Sequence, residues 1–293
     1  MIKTRGGRIF NILNNTFMVI LAVVFIYPFW YTLVLSFSTP LAASELGLKL
    51  FPSQASIEAY KETFQSNLIY IGYLNTFIRV IMGTALTVFF TYCGAYVLSK
   101  KNLPFRGVLT ILILFTMFFS GGLIPSYLLV KNLGLIDSRW SLILPCLTNA
   151  WYLIIARNFI MTIPESMEES AFVDGAGPLT VIFRIIFPLS MPIIAVLILW
   201  TAVTHWNAWF DAYIYIRDNA KMVLQLVLRR VLIDNQIESG SGVRNIMTDM
   251  NSRATPETIK AAIVILSIAP IVALYPFLQK YFVKGILVGA LKG

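Results

Sequence analysis

Carboxylates are scarce in this chain, yet Glu165, Glu168, Glu169 and Asp174 crowd into the stretch 162–188, TIPESMEESAFVDGAGPLTVIFRIIFP. Thr162 and Glu165 have the spacing of a capping box, and Pro164 suits a first helical turn, where its missing N–H costs nothing. Acidic side chains just inside a helix start are favoured by the helix dipole. Met167 and Ala171 are four apart and share a face. Gly175 suits a left-handed C-terminal stop, and Pro178 can open a second short helix. The product is a short amphipathic helix with an acidic front. Capping and solvation of a surface helix account for these carboxylates taken alone, and coupling to a partner is the second reading.

A second constellation is aromatic. Trp206, Asn207, Trp209 and Asp211 are followed by Tyr213 and Tyr215. One reading is a ring of aromatics at a bilayer interface. The other is a sugar-facing patch, in which rings stack on pyranose C–H faces while Asn207 and Asp211 bond hydroxyls. Arg79 lies inside an apolar run, where a cation either serves a function or snorkels to the interface. The lone His205 reads as a packing hydrogen-bond partner, since no Cys, Asp or Glu is spaced to share a metal with it. The chain has no GxxxxGK[ST] phosphate cradle, no HExxH, no CxxC pair and no GxSxG elbow. Nothing here reads as a catalytic centre.

The elements that must carry these groups follow from composition. Hydrophobic residues make up 58% and charged residues 13% of 293 residues, with mean hydropathy +0.76. A soluble domain is about 45–50% apolar and about 25% charged, so the solvent of this chain is lipid. Cys93 and Cys146 sit in apolar runs and read as reduced small hydrophobes. Charge-poor runs mark six helical spans, about 14–37, 70–99, 107–130, 140–160, 185–215 and 259–282. Each reaches the roughly 20 residues that a crossing needs. The first run is too long for a signal-peptide core and ends without a small-residue cleavage site, so it reads as a retained span. The expectation is one all-α membrane domain over 1–293, with a loop at 162–184 and a long outer loop at 217–258. Lys and Arg divide evenly between the two sides. The basic N-terminus and the Lys100–Arg106 turn nevertheless favour cytoplasmic N- and C-termini, because early charges weigh most. Pro188, Pro192, Pro270 and Pro276 read equally as static kinks or as hinges.

Stretch 162–188 resembles the EAA loop of ATP-binding-cassette importer permeases: Glu169-Ser170-Ala171, Gly175, Ile185 and Phe187-Pro188 keep its spacing. Ser170 and Phe187 depart from the usual Ala and Leu but keep a small and an apolar side chain. YLNTFIRV (73–80), AYVLSKKNLPFRG (95–107), SGGLIPSYLLVKNLGLID (120–137), WNAWFDAYIY (206–215) and QKYFVKGILVGALKG (279–293) are similar to oligosaccharide-importer permeases, more to the polysaccharide-oligomer branch than to maltose-type proteins.

The resemblance implies a type I importer permease in a bacterial cytoplasmic membrane. Its implied partners are a second homologous permease, two ATPase subunits that carry ATP and Mg, and an extracytoplasmic sugar-binding protein. It assigns ATPase coupling to Glu165, Glu168, Glu169, Ala171, Asp174 and Gly175. From the residues themselves, the substrate path is read at Arg79, Trp206, Asn207, Trp209 and Asp211, and this chain itself is expected to hold no cofactor and no metal. The basic residues of the outer loop lean the substrate toward an acidic, uronate-containing oligosaccharide, because positive potential concentrates anions. An ion-coupled secondary transporter is the competing class. It would show internal repeats and acids at mid-depth, and the spans show neither.

Overall fold

Residues 5–232 and 254–290 are described by the computed structural model, so Asp234, Glu238, Arg244, Asp249 and Arg253 of the outer loop lie outside the described residues. Those described form helices, with one isolated bridge between Ser38 and Ala55. Among the described residues, three helices are long and apolar enough to cross a bilayer: within α1 (Arg5–Ser36), α4 (Asn67–Ser99) and α13 (Pro256–Ala290). Three bent pairs raise the number of candidate spans to six when each pair counts as one.

Those breaks have local causes. The third run, expected as a span over 107–130, divides into α5 (Arg106–Phe118) and α6 (Leu123–Asn132), bent by 112°. Gly122 takes φ +86° at the break, backbone that a side chain disfavours. The fourth, expected over 140–160, becomes a 3-10 segment, Arg139–Cys146, and α7 (Ala150–Ile160), bent by 51°. Pro145 interrupts it, and Asn149 restarts the helix by accepting the Tyr152 N–H. The fifth, expected over 185–215, breaks by 80° between α9 (Pro178–Leu189) and α10 (Met191–Asn207), where Pro188 and Pro192 flank Ser190. It breaks again at Ala208 before α11 (Phe210–Tyr215). Between α7 and α9 lies α8 (Ser166–Val173).

Two compact units emerge, Met1–Ile69 with Arg230–Ala269, and Tyr70–Arg229 with Pro270–Gly293. In the first, α1 is followed by α2 (Pro40–Ser44) and α3 (Glu58–Gln65). Lys49 is buried there, its ammonium donating to the Ala42 and Ala43 carbonyls at the end of α2. A cation satisfies the orphan carbonyls of a helix end.

The second unit is organised by α4. Its 33 residues span about 50 Å at 1.5 Å per residue, more than the ~30 Å hydrocarbon core. The early turns meet the chain around 205–224, and the last turns meet α8 and α9. Thus α4 joins both sequence-predicted constellations. At its far end the Leu98 carbonyl accepts from the Nε atoms of both Arg106 and Arg157, at 3.0 and 3.1 Å. Val88, Tyr92 and Ala95 of α4 pack with Ala156 and Ile160 of α7, Ala171 of α8, and Val181 and Ile186 of α9. Within α9, Val181–Ile186 is wound as a π-helix, and Tyr92 Oη donates to the Ile182 carbonyl at 2.6 Å.

Candidate functional site

At the α8 end the structure separates the acidic residues into two groups. Glu168 faces inward, paired with the Lys100 ammonium and accepting from Tyr96 Oη at 3.3 Å. Glu165 reaches Lys101 at 2.8 Å, and the hydrogen bond and charge of Lys101 hold its carboxyl below the usual range. Glu169 and Asp174 are exposed instead, beside exposed Phe172 and Val173. Lys100, Lys101, Glu165, Glu168, Glu169 and Phe172 line a cleft of about 400 Å³. Ala171 is buried in the α4–α9 cluster, so α8 is fixed by one face and offers the other.

The start of α8 differs from the capping-box expectation. Thr162 Oγ1 turns back to the Phe159 carbonyl at 2.7 Å, and the helix begins at Ser166 with no side-chain cap. Glu165 pairs with Lys101 in place of the cap, and Pro164 lies before the helix. Met167 is exposed although Ala171 is buried, so the pair does not form one buried face. The C-terminus is as expected from Gly175. It takes φ +83°, with Gly175 N bonded to Phe172 O and Ala176 N to Ala171 O. These are the two bonds of a Schellman stop.

Toward the other end of α4, Arg79 and Asp211 find each other. The guanidinium meets the carboxylate through both Nη atoms, one bond measuring 3.1 Å, and also donates to the Ala208 carbonyl. Arg79 Nε donates to His205 Nδ1 at 3.4 Å, a long bond. Arg79 and His205 are each 3% exposed. The ring sits where Gly83 has no side chain, since a Cβ there would fall 2.5 Å from His205 Nε2. Arg79 therefore does not snorkel. Trp206 is buried against Tyr73 and Phe77 and borders an apolar cavity of about 480 Å³ with Tyr152, Trp200 and Thr204. Asn207 is exposed, and Trp209 stacks against Arg229.

Residues that sequence reasoning passed over hold this end together. Asn75 Nδ2 donates to the Ala220 and Met222 carbonyls, while its Oδ1 accepts from Arg139, all at 2.9 Å. Asp137 takes φ +58° and ties residues 133–138 to the segment after α11. Its carboxylate accepts from the Arg217 and Asp218 backbone N–H groups and from Lys221 Nζ. An acid inside GLID carried no sequence signal beyond tolerance of left-handed backbone.

The Asp218 backbone hydrogen bond, then Lys221, hold the Asp137 carboxyl at about 2. A depressed folded value means that its stabilisation is complete above the ordinary range near 3.9 and is lost as pH falls through about 2. Thermal unfolding of the purified membrane protein should therefore fall less steeply between about pH 4 and pH 2 in Asp137→Asn than in the parent. At neutral pH the variant should be less stable by about 1–2 kcal/mol, for a lost charged hydrogen-bond partner. Parallel pH profiles would remove Asp137 from the account.

Among the described residues no cluster of His, Cys, Asp or Glu could hold a metal ion. The family model for the binding-protein-dependent transport system inner membrane component matches residues 94–288. The chain is 40% identical to the polygalacturonan/rhamnogalacturonan transport system permease protein YtcP of Bacillus subtilis (strain 168), over 98% of this chain and 99% of that one. It is also 40% identical to protein LplC of the same organism, over 100% of this chain and 98% of the relative. A solved structure of a bacterial ABC transporter involved in the import of the acidic polysaccharide alginate matches with TM-score 0.89 and 32% identity, over 96% of this chain and 99% of that one.

Proposed function

The chain belongs to the binding-protein-dependent transport system inner membrane components, and on that premise we propose how it works as a permease subunit of an ABC importer. Its substrate is an oligosaccharide that carries uronate residues. The relatives support that reading: one is a polygalacturonan/rhamnogalacturonan permease and another belongs to an alginate importer. The secondary-transporter alternative falls with the family assignment.

The observation that carries the mechanism is the two-faced setting of α8. Ala171 and Glu168 fasten it to α4, while Glu169, Asp174, Phe172 and Val173 remain outward. Glu169 and Asp174 meet basic residues of an ATPase subunit, and Phe172 and Val173 supply apolar contact. Glu165, Glu168, Ala171 and Gly175 position the helix. Displacement of α8 on nucleotide closure is passed to α4 through the Lys100–Glu168 pair and to the fifth span through the π-wound α9. The spans respond by alternating access. ATP and Mg stay on the two ATPase subunits, and this chain supplies the conduit with a second permease beside it. The α8 end and both termini are cytoplasmic, and the Arg79–Asp211 end receives cargo from the binding protein. Trp206, Asn207 and Trp209 border the path there, while Arg79 and Asp211 brace it.

Reconstitution tests this. Liposomes holding the chain alone should show only background uptake. Adding a second permease, the ATPases and loaded binding protein should restore ATP-dependent uptake. Robust transport by the single polypeptide would overturn the proposal.

A further inference from the structure

Around the Arg79–Asp211 pair, three described acids are already engaged. Asp211 is held by Arg79, and Asp137 and Asp218 by Lys221. Arg229, on α12 (Leu224–Leu232), is different. Its guanidinium carbon lies 4.2 Å from the centre of the Trp209 ring and 5.0 Å from that of Tyr213. Among the described residues no carboxylate lies within ion-pair distance of it. Leu224, Leu226 and Val227 are buried, which fixes the helix that presents it, and Leu224 N donates to Thr76 Oγ1 of α4.

Stacking occupies the face of a guanidinium and leaves its N–H edge available for a bidentate carboxylate. The two rings lie 6.4 Å apart at 62°, and Tyr213 is half exposed. A free aromatic surface beside a held guanidinium suits a ligand with a flat C–H face and an adjoining carboxylate. A hexuronate has both. Neutral sugars would use the rings alone, and a simple anion would use the arginine alone.

We propose that Arg229, held on Trp209 and Tyr213, is a carboxylate-recognising subsite for uronate residues of the cargo. It rests on the acidic-oligosaccharide reading and narrows the electrostatic lean to one side chain, with Trp209 as its platform. Because Asp211 is neutralised by Arg79, its charge does not oppose an incoming carboxylate.

The test uses the complete reconstituted importer with saturating loaded binding protein. Uptake of an oligogalacturonide is compared with that of a partly carboxyl-reduced oligomer of equal length. In the parent the acidic cargo should be favoured. Arg229→Gln should lower the acidic-to-reduced ratio about tenfold, the scale of one charge-assisted hydrogen bond. Arg229→Lys, which keeps the charge but loses the fork, should fall between, and Trp209→Ala should lower the ratio too. An unchanged ratio in Arg229→Gln, even with both rates reduced in parallel, would leave Arg229 a packing residue and overturn the subsite. Should Arg229→Gln fail to assemble, the Arg229→Lys and Trp209→Ala ratios decide the matter in the same way. Equal uptake of both cargoes by the parent would instead overturn the acidic-cargo reading itself.

Discussion

Glu169→Lys is expected to leave the chain in the membrane at its normal level while uptake collapses, by about thirtyfold or more. A reversed charge at the heart of an interface commonly costs 2–5 kcal/mol. Glu169 has no ion-pair partner within the described residues and is exposed, so its loss should not unfold α8. Gly175→Leu should have a similar effect by another route. No atom lies within 4 Å of where its Cβ would be, so the cost is conformational. At φ +83° that cost is roughly 1–2 kcal/mol, and relief comes from unwinding the Schellman stop that aims α8. Gly175→Asn, which tolerates left-handed backbone, should retain more uptake than Gly175→Leu. Glu168 provides the contrast. Exchanging Glu168→Lys with Lys100→Glu should recover much of the activity that Glu168→Lys loses, because that pair lies within the chain. No such exchange with a neighbour in this chain should rescue Glu169→Lys. ATP-dependent uptake and ATPase co-purification measure both. Parent-level uptake by Glu169→Lys would mean that the outward acids are only solvated.

How far the sequence foretold this arrangement depended on the range of the interaction. Gly175 was legible because a helix stop is local, set by residues from Ala171 to Ala176. The capping box at Thr162 was misleading because its competitor lies elsewhere in the chain: Lys101 takes Glu165. Spans three to five were legible as apolar runs, but only the fifth carried a sign of its bend, in Pro188 and Pro192. Hydropathy measures the cost of entering lipid and is nearly blind to chain direction, which Gly122, Asn149 and Ser190 decide. At the other end, Arg79 was singled out as a cation inside an apolar run and Asp211 as a partner for sugar hydroxyls, yet their pairing, across 132 positions, was not readable. Arg229 was counted only as one charge among many. Its distinction is the ring beneath it, and contacts between α11 and α12 leave no periodic trace.

The pairing of Arg79 with Asp211 sets the last expectation, which concerns stability and not cargo. Arg79 is 3% exposed within a chain solvated by lipid, and the described residues supply one carboxylate to it. Removing one member strands the other. Arg79→Met leaves Asp211 without its cation, and Asp211→Asn leaves a buried guanidinium without its anion. Each should cost roughly 3–5 kcal/mol, seen as low membrane yield and a lowered unfolding temperature of the detergent-purified protein. The double variant Arg79→Met/Asp211→Asn should be more stable than either single one, since two neutral groups carry no uncompensated charge. It keeps a side-chain oxygen at position 211 for the Ala212 N–H, which the aspartate now engages at 2.8 Å. Gly83 sharpens the test. The imidazole between the two long helices has no room to retreat toward α4, so the cluster cannot relax by sliding His205 into the gap. The pair energy must then appear as non-additivity in the double-mutant cycle. Strictly additive losses would show that Arg79 and Asp211 act separately, and would return both to the substrate path.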